Sequence, residues 1–330
     1  MPINPQAHPN QNGNPHVVAL AGGVGGAKLA HGLAQVLPAE NLTIIVNTGD
    51  DFDHLGLRIC PDIDTVSYTL AGLSNPVTGW GRANETWCAF ENLERLGGPT
   101  WFRLGDQDLA THLERTRRLA LGQPLSAIMH DFLSAWGVRQ RVLPMTDQPV
   151  STWVDTEESG WLPFQEYFVH QKCQPKVRGF QFVGAETAMP APGAIEALEA
   201  ADVVVICPSN PWVSIGPILS IKPIAEVMRK KLSIAVSPII GGQTIKGPAA
   251  KMYQELGIRP SALAVARHYQ DHLSGFVMDR VDNDQEEQVT QLGVKVYLTD
   301  TIMKTAEDRR RLAEETLSFY ESIEGRQSAL

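Results

Sequence analysis

Four glycines lie within five residues near the start of the chain, directly after a short apolar run. Val17–Ala21 leads into Gly22-Gly23-Val24-Gly25-Gly26, and a stretch with helical spacing follows. Glycine lets a backbone turn tightly and approach a ligand closely, and the first helical turn carries unpaired N–H groups at the positive end of its dipole. The segment therefore predicts a phosphate-binding loop between a strand and a helix. Its candidate contacts are Gly22, Gly23, Gly25, Gly26 and Lys28.

This glycine pattern departs from two common phosphate-binding motifs. Lys28 stands where the dinucleotide motif GxGxxG has its third glycine, and the GK[ST] of a P-loop is absent. A nicotinamide-dependent enzyme would also need an acid about 20 residues past the loop, a place that Asp50 could take. A ligand-free strand–helix turn and a Rossmann oxidoreductase therefore remain alternatives to phosphate transfer.

Apolar stretches alternate with helical patterns along much of the chain. Strands are predicted at 17–21, 42–46, 203–206, 232–236, 261–265 and 294–298. Helices are predicted at 27–37, 193–200, 218–230 and 249–256. This alternation is typical of an α/β fold, here a Rossmann-like, doubly wound and mainly parallel sheet. Ligands of such sheets bind outside the carboxyl ends of the strands.

Two regions interrupt the alternation. Residues 84–141 predict a helical insertion, with helices at 85–96, 109–121 and 126–136. The aromatic-rich segment 151–183 predicts a β-hairpin or a small antiparallel β element. We expect 1–15, rich in Pro, Asn and Gln, to be a disordered leader and 16–325 to form a single α/β domain.

The composition argues against nucleic-acid and membrane partners. The chain has 28 Lys and Arg against 37 Asp and Glu, for a net charge of −9, and its longest basic run is Arg309-Arg310-Arg311. No apolar segment has the length of a membrane span. The four cysteines are scattered without a CxxC pair, as in proteins of a reducing compartment. We therefore expect a cytoplasmic protein that binds small molecules.

Acidic residues follow the second predicted strand. Asn47-Thr48-Gly49-Asp50-Asp51 is followed by Pro61-Asp62-Ile63-Asp64. Magnesium binds one or two carboxylates together with phosphate oxygens, and it offsets charge during phosphoryl transfer. Asp50, Asp51 and Asp62 are therefore candidate magnesium ligands and catalytic residues. Helix capping by Asp62 or Asp64 is the alternative.

Two further polar segments are candidates for binding. Prolines stiffen the loop after the strand at 203–206, and its serine, asparagine and backbone donors suit a second phosphate or a base edge. The predicted contacts in that loop are Ser209, Asn210, Ser214 and Gly216. Gly105-Asp106-Gln107-Asp108 favours a loop and helix cap over a binding role. A solvated helix face is likewise favoured over a metal site for His268 and His272.

In order along the chain, these segments resemble the CofD family, transferases of coenzyme F420 biosynthesis. The matching blocks run from about residue 16 to about 318 and include the glycine loop, Asn47-Thr48-Gly49-Asp50-Asp51, Leu104-Gly105-Asp106 and Ser237-Pro238-Ile239-Ile240-Gly241-Gly242. The resemblance implies that a phospho-carboxylic acid, phosphoenolpyruvate or 2-phospho-L-lactate, moves from a guanosine diphosphate conjugate to the deazaflavin Fo. The ribityl hydroxyl of Fo attacks, GMP leaves, and F420-0 or its dehydro form results.

The resemblance also assigns residues and leaves choices open. It implies that Asp64 and Arg103 contact the deazaflavin, that Mg²⁺ is required, and that the protein is a homodimer. Val24 and Ala27 stand where the archaeal form has Thr and Pro, which favours phosphoenolpyruvate, with 3-phosphoglycerate as a third candidate acid. The alternative is a YvcK-like nucleotide-sugar-binding regulatory protein, which shares the glycine loop. The aspartate cluster together with Arg103 favours the transferase.

Overall fold

A computed structural model describes residues 13–325. The leader expected over 1–15 therefore lies outside the described residues except for 13–15, which form neither helix nor strand. Within the described range the strands are β1 (Val17–Ala21), β2 (Leu42–Val46), β3 (Phe52–His54), β4 (Leu57–Ile59), β5 (Arg141–Pro144), β6 (Ser151–Thr156), β7 (Gly160–Pro163), β8 (Val177–Val183), β9 (Val203–Ile206), β10 (Ser233–Val236), β11 (Ile239–Ile240), β12 (Gln243–Thr244), β13 (Gly275–Asp279) and β14 (Lys295–Thr299).

The α-helices connect these strands and cover both faces of the main sheet. They are α1 (Gly23–Val36), α2 (Pro61–Leu70), α3 (Cys88–Arg95), α4 (Asp106–Ala120), α5 (Leu125–Ala135), α6 (Ala194–Ala200), α7 (Gly216–Ser220), α8 (Lys222–Met228), α9 (Ala249–Glu255), α10 (Ala262–Tyr269), α11 (Glu286–Thr290) and α12 (Ala306–Glu324). None of the helices in residues 13–325 combines the length and apolar character of a bilayer-crossing segment.

The main sheet is wholly parallel, with the strand order β14-β13-β10-β9-β1-β2-β5. The chain runs outward from β1 through β2 to β5 and then returns to β9 on the other side of β1. The direction of winding therefore reverses between β1 and β9, the place where open α/β sheets bind ligands. Because Ala21 pairs with Val46 and Leu20 with Ile206, the loops after β1, β2 and β9 leave the sheet at one edge.

Strand β1 is buried along its whole length because helices cover both faces. Val17, Ala19 and Ala21 pack in a core that includes residues of α1, α2, α5 and α12. Val18 and Leu20 pack in a second core that includes residues of α6, α8, α9 and α10. The apolar run before the glycines is therefore the central strand of a three-layer fold.

The predicted α/β class and parallel sheet are confirmed. So is the small antiparallel element, a three-stranded sheet in the order β7-β6-β8. The helical insertion lies between β2 and β5, and α3, α4 and α5 each begin within three residues of the predicted start. Sequence reasoning missed β13, a five-residue strand of the main sheet, and the short strands β3, β4, β5, β11 and β12, which have two to four residues.

Two predicted elements were wrong. The strand expected at 261–265 is helix α10, which Ser261 caps by accepting a hydrogen bond from the Ala264 N–H (3.0 Å). Its buried positions follow helical spacing, and Ala and Leu favour a helix. The helix expected over 218–230 is divided into α7 and α8 at Ile221, whose backbone is extended shortly before Pro223.

Candidate active site

A large cavity opens at the carboxyl edge of the sheet and has a volume of about 960 Å³. The glycine loop, the start of α2 and the loop after β9 form part of its lining. The helical insertion, the segment around Phe164, and residues 237–249 and 301–304 complete the lining. The cavity thus occupies the reversal point that the topology predicts for a ligand.

The glycine loop is locked to the loop after β9. The Gly22 N–H donates to Ser209 Oγ (3.2 Å). A Cβ atom at Gly25 would collide with the Pro208 carbonyl oxygen, and one at Gly26 would collide with Ser209 Oγ. These glycines are therefore required because two backbones approach closely, and the approach brings both loops to the same end of the cavity.

Asn47 and Asp62 connect the end of β2 with the starts of α1 and α2. The Gly23 N–H donates to Asp62 Oδ1 (2.8 Å), and Asn47 Nδ2 donates to Asp62 Oδ2 (2.9 Å) and to the Val213 carbonyl oxygen (3.1 Å). The alternative that Asp62 or Asp64 caps α2 is wrong, since both lie within its first turn and Asp62 instead binds the first N–H of α1. The network fixes a carboxylate beside the glycine loop.

Asp50 and Asp62 form a buried acidic pair at the cavity wall. Burial raises the pKa of Asp50 well above its ordinary value, and the neighbouring Asp62 carboxylate raises it further. Burial also raises the pKa of Asp62, while hydrogen bonds from Asn47 and Gly23 oppose the shift. Asp50 Oδ1 is buried without a hydrogen-bond partner. A cation between the two carboxylates would reduce their repulsion and would give Asp50 Oδ1 a partner.

These acids do not make a complete protein-only metal site. Over the described range 13–325, no group of three or more His, Cys, Asp and Glu side chains has the arrangement needed to hold a metal ion. Magnesium, however, commonly keeps waters and substrate phosphate oxygens as ligands and takes only one or two carboxylates. Asp50 and Asp62 fit that second arrangement.

Lys28 supplies positive charge on the other side of the glycine loop. Its ammonium group donates to the Met303 carbonyl oxygen (2.7 Å). Burial lowers the pKa of Lys28, and the nearby cations Arg309 and Lys246 lower it further. Mutual repulsion among these cations would fall when an anion binds between them. Lys28 and Lys246 both line the cavity.

Aromatic side chains form the far wall. Trp101 packs edge-on against His54 (5.0 Å between ring centroids) and stacks on His170 (5.1 Å). Phe164 and Phe168 stack with their planes 6° apart. The Arg103 guanidinium lies 4.3 Å from the Trp87 ring centroid. This wall offers flat apolar surface and one accessible cation at the cavity mouth.

A buried polar ladder joins α2 to α4 along the cavity. The wholly buried Arg115 guanidinium forms a two-pronged ion pair with Asp64. Arg115 Nη1 also lies 3.3 Å from His112 Nδ1. Tyr68 OH donates to Asp108 Oδ1 (2.6 Å), and His112 Nε2 lies 3.3 Å from the same oxygen.

Burial and ion pairs oppose one another in this ladder. Burial raises the pKa of Asp64, although Arg115 and His112 partly offset it. Burial would also raise the pKa of Asp108, but hydrogen bonding and charge from His112 outweigh it and leave that pKa lowered. The two cavity carboxylates therefore differ in acidity because of their partners.

Most of the predicted site residues line this one cavity. They are Gly22, Gly23, Gly25, Lys28, Asp50, Asp62, Asp64, Arg103, Ser209, Asn210 and Ser214. Three others do not line it: Gly26 packs behind the loop, Gly216 begins α7, and Asp51 faces a smaller cavity of about 450 Å³ beside Arg58. Burial raises the pKa of Asp51 to about 7, against a hydrogen bond from Cys60.

The polar loops differ in detail from the sequence-based interpretation. Asn210 caps the helical turn that follows it, with Oδ1 accepting from the Trp212 N–H (3.0 Å). Asp106 lies in α4 but accepts N–H bonds from Cys88 and Ala89, so it caps α3. The solvated face expected for His268 is wrong, because its ring packs on Trp212 (4.3 Å) and burial lowers its pKa to about 4.

Sequence reasoning missed the ladder. Its signal was present as polar residues at helical spacing, Asp64 and Tyr68 on α2 and Asp108, His112 and Arg115 on α4. Such a stripe ordinarily indicates a solvated face, and only the packing of the two helices shows that it is buried.

With the geometry defined, comparisons with known proteins are informative. Residues 17–318 match the family described as 2-phospho-L-lactate transferase CofD. The chain belongs to the CofD family. It is 42% identical over 314 residues to a phosphoenolpyruvate transferase of Streptomyces griseus, covering 93% of this chain and 99% of that protein.

Other members of the CofD family are similar over comparable lengths. A phosphoenolpyruvate transferase of Thermobifida fusca is 45% identical over 281 residues, or 81% of this chain and 87% of that protein. A 2-phospho-L-lactate transferase of Methanosarcina barkeri is 37% identical over 307 residues, or 93% of this chain and 99% of that protein. A crystal structure of a UPF0052 family protein from Bacillus halodurans shares the fold (TM-score 0.61, 16% identity, 91% of this chain and 98% of that one).

Proposed function

We propose that this CofD-family transferase moves a phospho-carboxylic acid from a guanosine diphosphate conjugate to the deazaflavin Fo and releases GMP. The observation that carries the proposal is one cavity with two unlike walls. A glycine loop, a lysine and an acidic pair form one part of its lining, and stacked aromatic rings form another part. A charged diphosphate donor and a flat aromatic acceptor fit these walls respectively.

The donor would bind at the reversal point of the sheet. The start of α1 places backbone N–H groups and a positive dipole end at the glycine loop, and Lys28 adds a full charge. Ser209, Asn210 and Ser214 supply further polar contacts from the loop after β9. Phosphoryl transfer depends mainly on such positioning and on charge neutralisation.

Asp50 and Asp62 would hold Mg²⁺ together with donor phosphate oxygens. The ion would supply Lewis-acid stabilisation of charge on the phosphoryl group. The chain's own residues orient the reactants: Asp62 is fixed by the Gly23 N–H and Asn47, and Asp64 by Arg115. We retain Asp51 as a predicted ligand, although it lines the smaller cavity.

The transfer itself requires one bond to form and one to break. The terminal ribityl hydroxyl forms a P–O bond to the phosphorus that carries the acid, and the P–O bond to GMP breaks. The hydroxyl proton passes to an aspartate of the cavity wall. An aspartate that does not hold the ion is the candidate base, because a carboxylate that binds Mg²⁺ has its pKa lowered.

We further propose phosphoenolpyruvate as the acid. Two of the relatives described above carry that name and are 42% and 45% identical to this chain, whereas the phospholactate enzyme of Methanosarcina barkeri is 37% identical. Mass spectrometry of products formed from Fo, GTP, magnesium, a guanylyltransferase and each candidate acid tests the proposal. We expect dehydro-F420-0. Formation of no F420-0 species with any of the three acids would refute the transfer.

Two finer expectations belong to the same proposal. The four cysteines form no disulfide, which fits a cytoplasmic enzyme. Helix α3 has no buried residue in the isolated chain, and neighbouring Val77 and Leu96 are 84% and 85% exposed, which fits a homodimer that covers this region. Light scattering after gel filtration measures the second expectation directly.

A further inference from the structure

One carboxylate oxygen on the cavity wall has no role in the function proposed above. Asp108 lines the cavity, and its side chain is 16% exposed. Its Oδ1 atom accepts the Tyr68 hydroxyl (2.6 Å) and lies 3.3 Å from His112 Nε2. No donor within residues 13–325 reaches its Oδ2 atom. A carboxylate held through one oxygen presents the other to a ligand donor.

The groups behind Asp108 are built to hold it. Arginine has only donors, so the contact between Arg115 Nη1 and His112 Nδ1 (3.3 Å) makes Nδ1 the acceptor of that pair. A neutral imidazole would then carry its proton on Nε2, which lies 3.3 Å from Asp108 Oδ1 without hydrogen-bond geometry. Arg115, His112 and Tyr68 are 0%, 2% and 1% exposed, so packing holds all three in place.

The position of Asp108 along the cavity indicates what it meets. Pro61, Asp62, Thr65 and Tyr68 of α2 all line the cavity, so this helix runs along the wall. Asp62 and Tyr68 are six residues apart, or about 9 Å along the helix axis. An acceptor whose terminal hydroxyl reaches Asp62 would therefore place the inner part of a short polyol chain near Asp108.

We infer that Asp108 is a specificity-determining residue that accepts a hydrogen bond from an inner hydroxyl of the acceptor's polyol chain. Tyr68 and His112 are its positioning residues, and Arg115 sets the tautomer of His112. This inference rests on the proposed function, since the polyol chain is the ribityl group of Fo. Asp108 would select acceptors with hydroxylated chains. The aromatic wall cannot do so, because that wall contacts only the ring.

The experiment compares two acceptors and three variants. The acceptors are Fo and a 5-hydroxypentyl deazaflavin that keeps the terminal hydroxyl but lacks the inner ones. The variants are Asp108→Asn, Tyr68→Phe and the control Glu114→Gln, an exposed acid on the same helix that pairs with Arg117. Fluorescence titration measures acceptor binding in the full chain, and initial rates give KM and kcat.

We expect Asp108→Asn to weaken Fo binding by about 10-fold or more, since a hydrogen bond to a charged group is lost. Tyr68→Phe should raise the KM for Fo by a smaller factor without the same change in kcat. Both variants and Glu114→Gln should bind the hydroxypentyl analogue and GDP as the wild type does. If Asp108→Asn is too unstable to measure, Tyr68→Phe still tests the inference, provided that its unfolding midpoint equals that of the wild type.

Two outcomes would overturn the inference. Unchanged Fo binding in Asp108→Asn would remove its role, and equal weakening of Fo and the analogue would assign the effect to the ring or to folding. In either case, the proposed function stands if the wild-type enzyme binds Fo and turns it over. A wild-type protein that neither binds Fo nor transfers to it refutes the proposed function and the inference together.

Discussion

The two walls of the cavity are built in different ways. The donor wall consists of loops that leave adjacent strands and are fixed by short contacts such as Gly22 N–H to Ser209 Oγ. The acceptor wall combines the segment around Phe164 with the insertion, in which α3 has no buried residue and Arg103 is exposed. On the proposed function, anion binding would depend on backbone held by the sheet, whereas binding of an aromatic ring would depend on side chains of a less buried region.

The largest effect is expected at the acidic pair of the donor wall. Asp62→Asn keeps an oxygen for the Gly23 N–H but removes the negative charge that would hold magnesium. Because such an ion supplies several kcal/mol of charge stabilisation, we expect turnover to fall on the order of 10³-fold. Initial rates against magnesium concentration, with a thermal melt as the folding control, measure this. Full activity would remove Asp62 from the metal site.

Asp51 tests whether the acidic cluster extends beyond the donor wall. Burial raises its pKa to about 7, so between the unfolded value and about 7 the folded state binds more protons. The contribution of Asp51 to the free energy of unfolding is therefore most favourable below the unfolded pKa and is lost as the pH rises through 7. We expect Asp51→Asn without metal to be a few kcal/mol more stable than wild type at pH 8 and equally stable near pH 4.

Urea unfolding at the two pH values, with EDTA present, measures the difference for Asp51→Asn. A variant less stable than wild type at pH 8 would contradict the burial argument. Magnesium-dependent turnover of the same variant tests whether Asp51 is also a magnesium ligand. A loss of turnover as large as in Asp62→Asn would make Asp51 a ligand, although it lines the smaller cavity.

Lys28→Met tests the donor wall alone. The substitution keeps much of the aliphatic stem but removes the ammonium group that lies at the glycine loop. We expect GDP affinity to fall about 10-fold or more, since a charge-assisted hydrogen bond to phosphate is lost, and Fo affinity to stay constant. Calorimetric titration with each ligand measures both. Equal losses for the two ligands would show that the walls are not independent.

Arg103→Ala tests the acceptor wall and is expected to have the smallest effect. Its guanidinium is exposed and lies over the Trp87 ring, where such contacts contribute about 0.5–1 kcal/mol. We expect Fo affinity to fall by a few-fold and guanosine nucleotide affinity to remain unchanged. Deazaflavin fluorescence and GDP titration give the two values. A larger loss of affinity for the nucleotide would indicate that the nucleotide, and not the deazaflavin, binds at this wall.

The same contrast explains what could be predicted from the sequence. The donor wall follows strand ends, and buried strands have a strong local signal, so the glycine loop, Asp62 and Ser209 were identified and lie at one cavity. Residues 261–265, most of which lie in helix α10, were predicted as a strand because a short apolar run carries no reliable period of its own. Asp108 and Arg115 were missed because their role arises only where α4 packs on α2, a contact between distant segments.

The insertion between β2 and β5 has a consequence for redesign. Arg103 lies in the loop before α4 and Asp108 lies in α4, while the proposed diphosphate site lies at strand ends elsewhere in the chain. New acceptor specificities can therefore be sought by changing residues of this one contiguous stretch, while the proposed nucleotide-binding residues are left unchanged. A library confined to Arg103 and Asp108 is small enough to screen for transfer to unnatural alcohols.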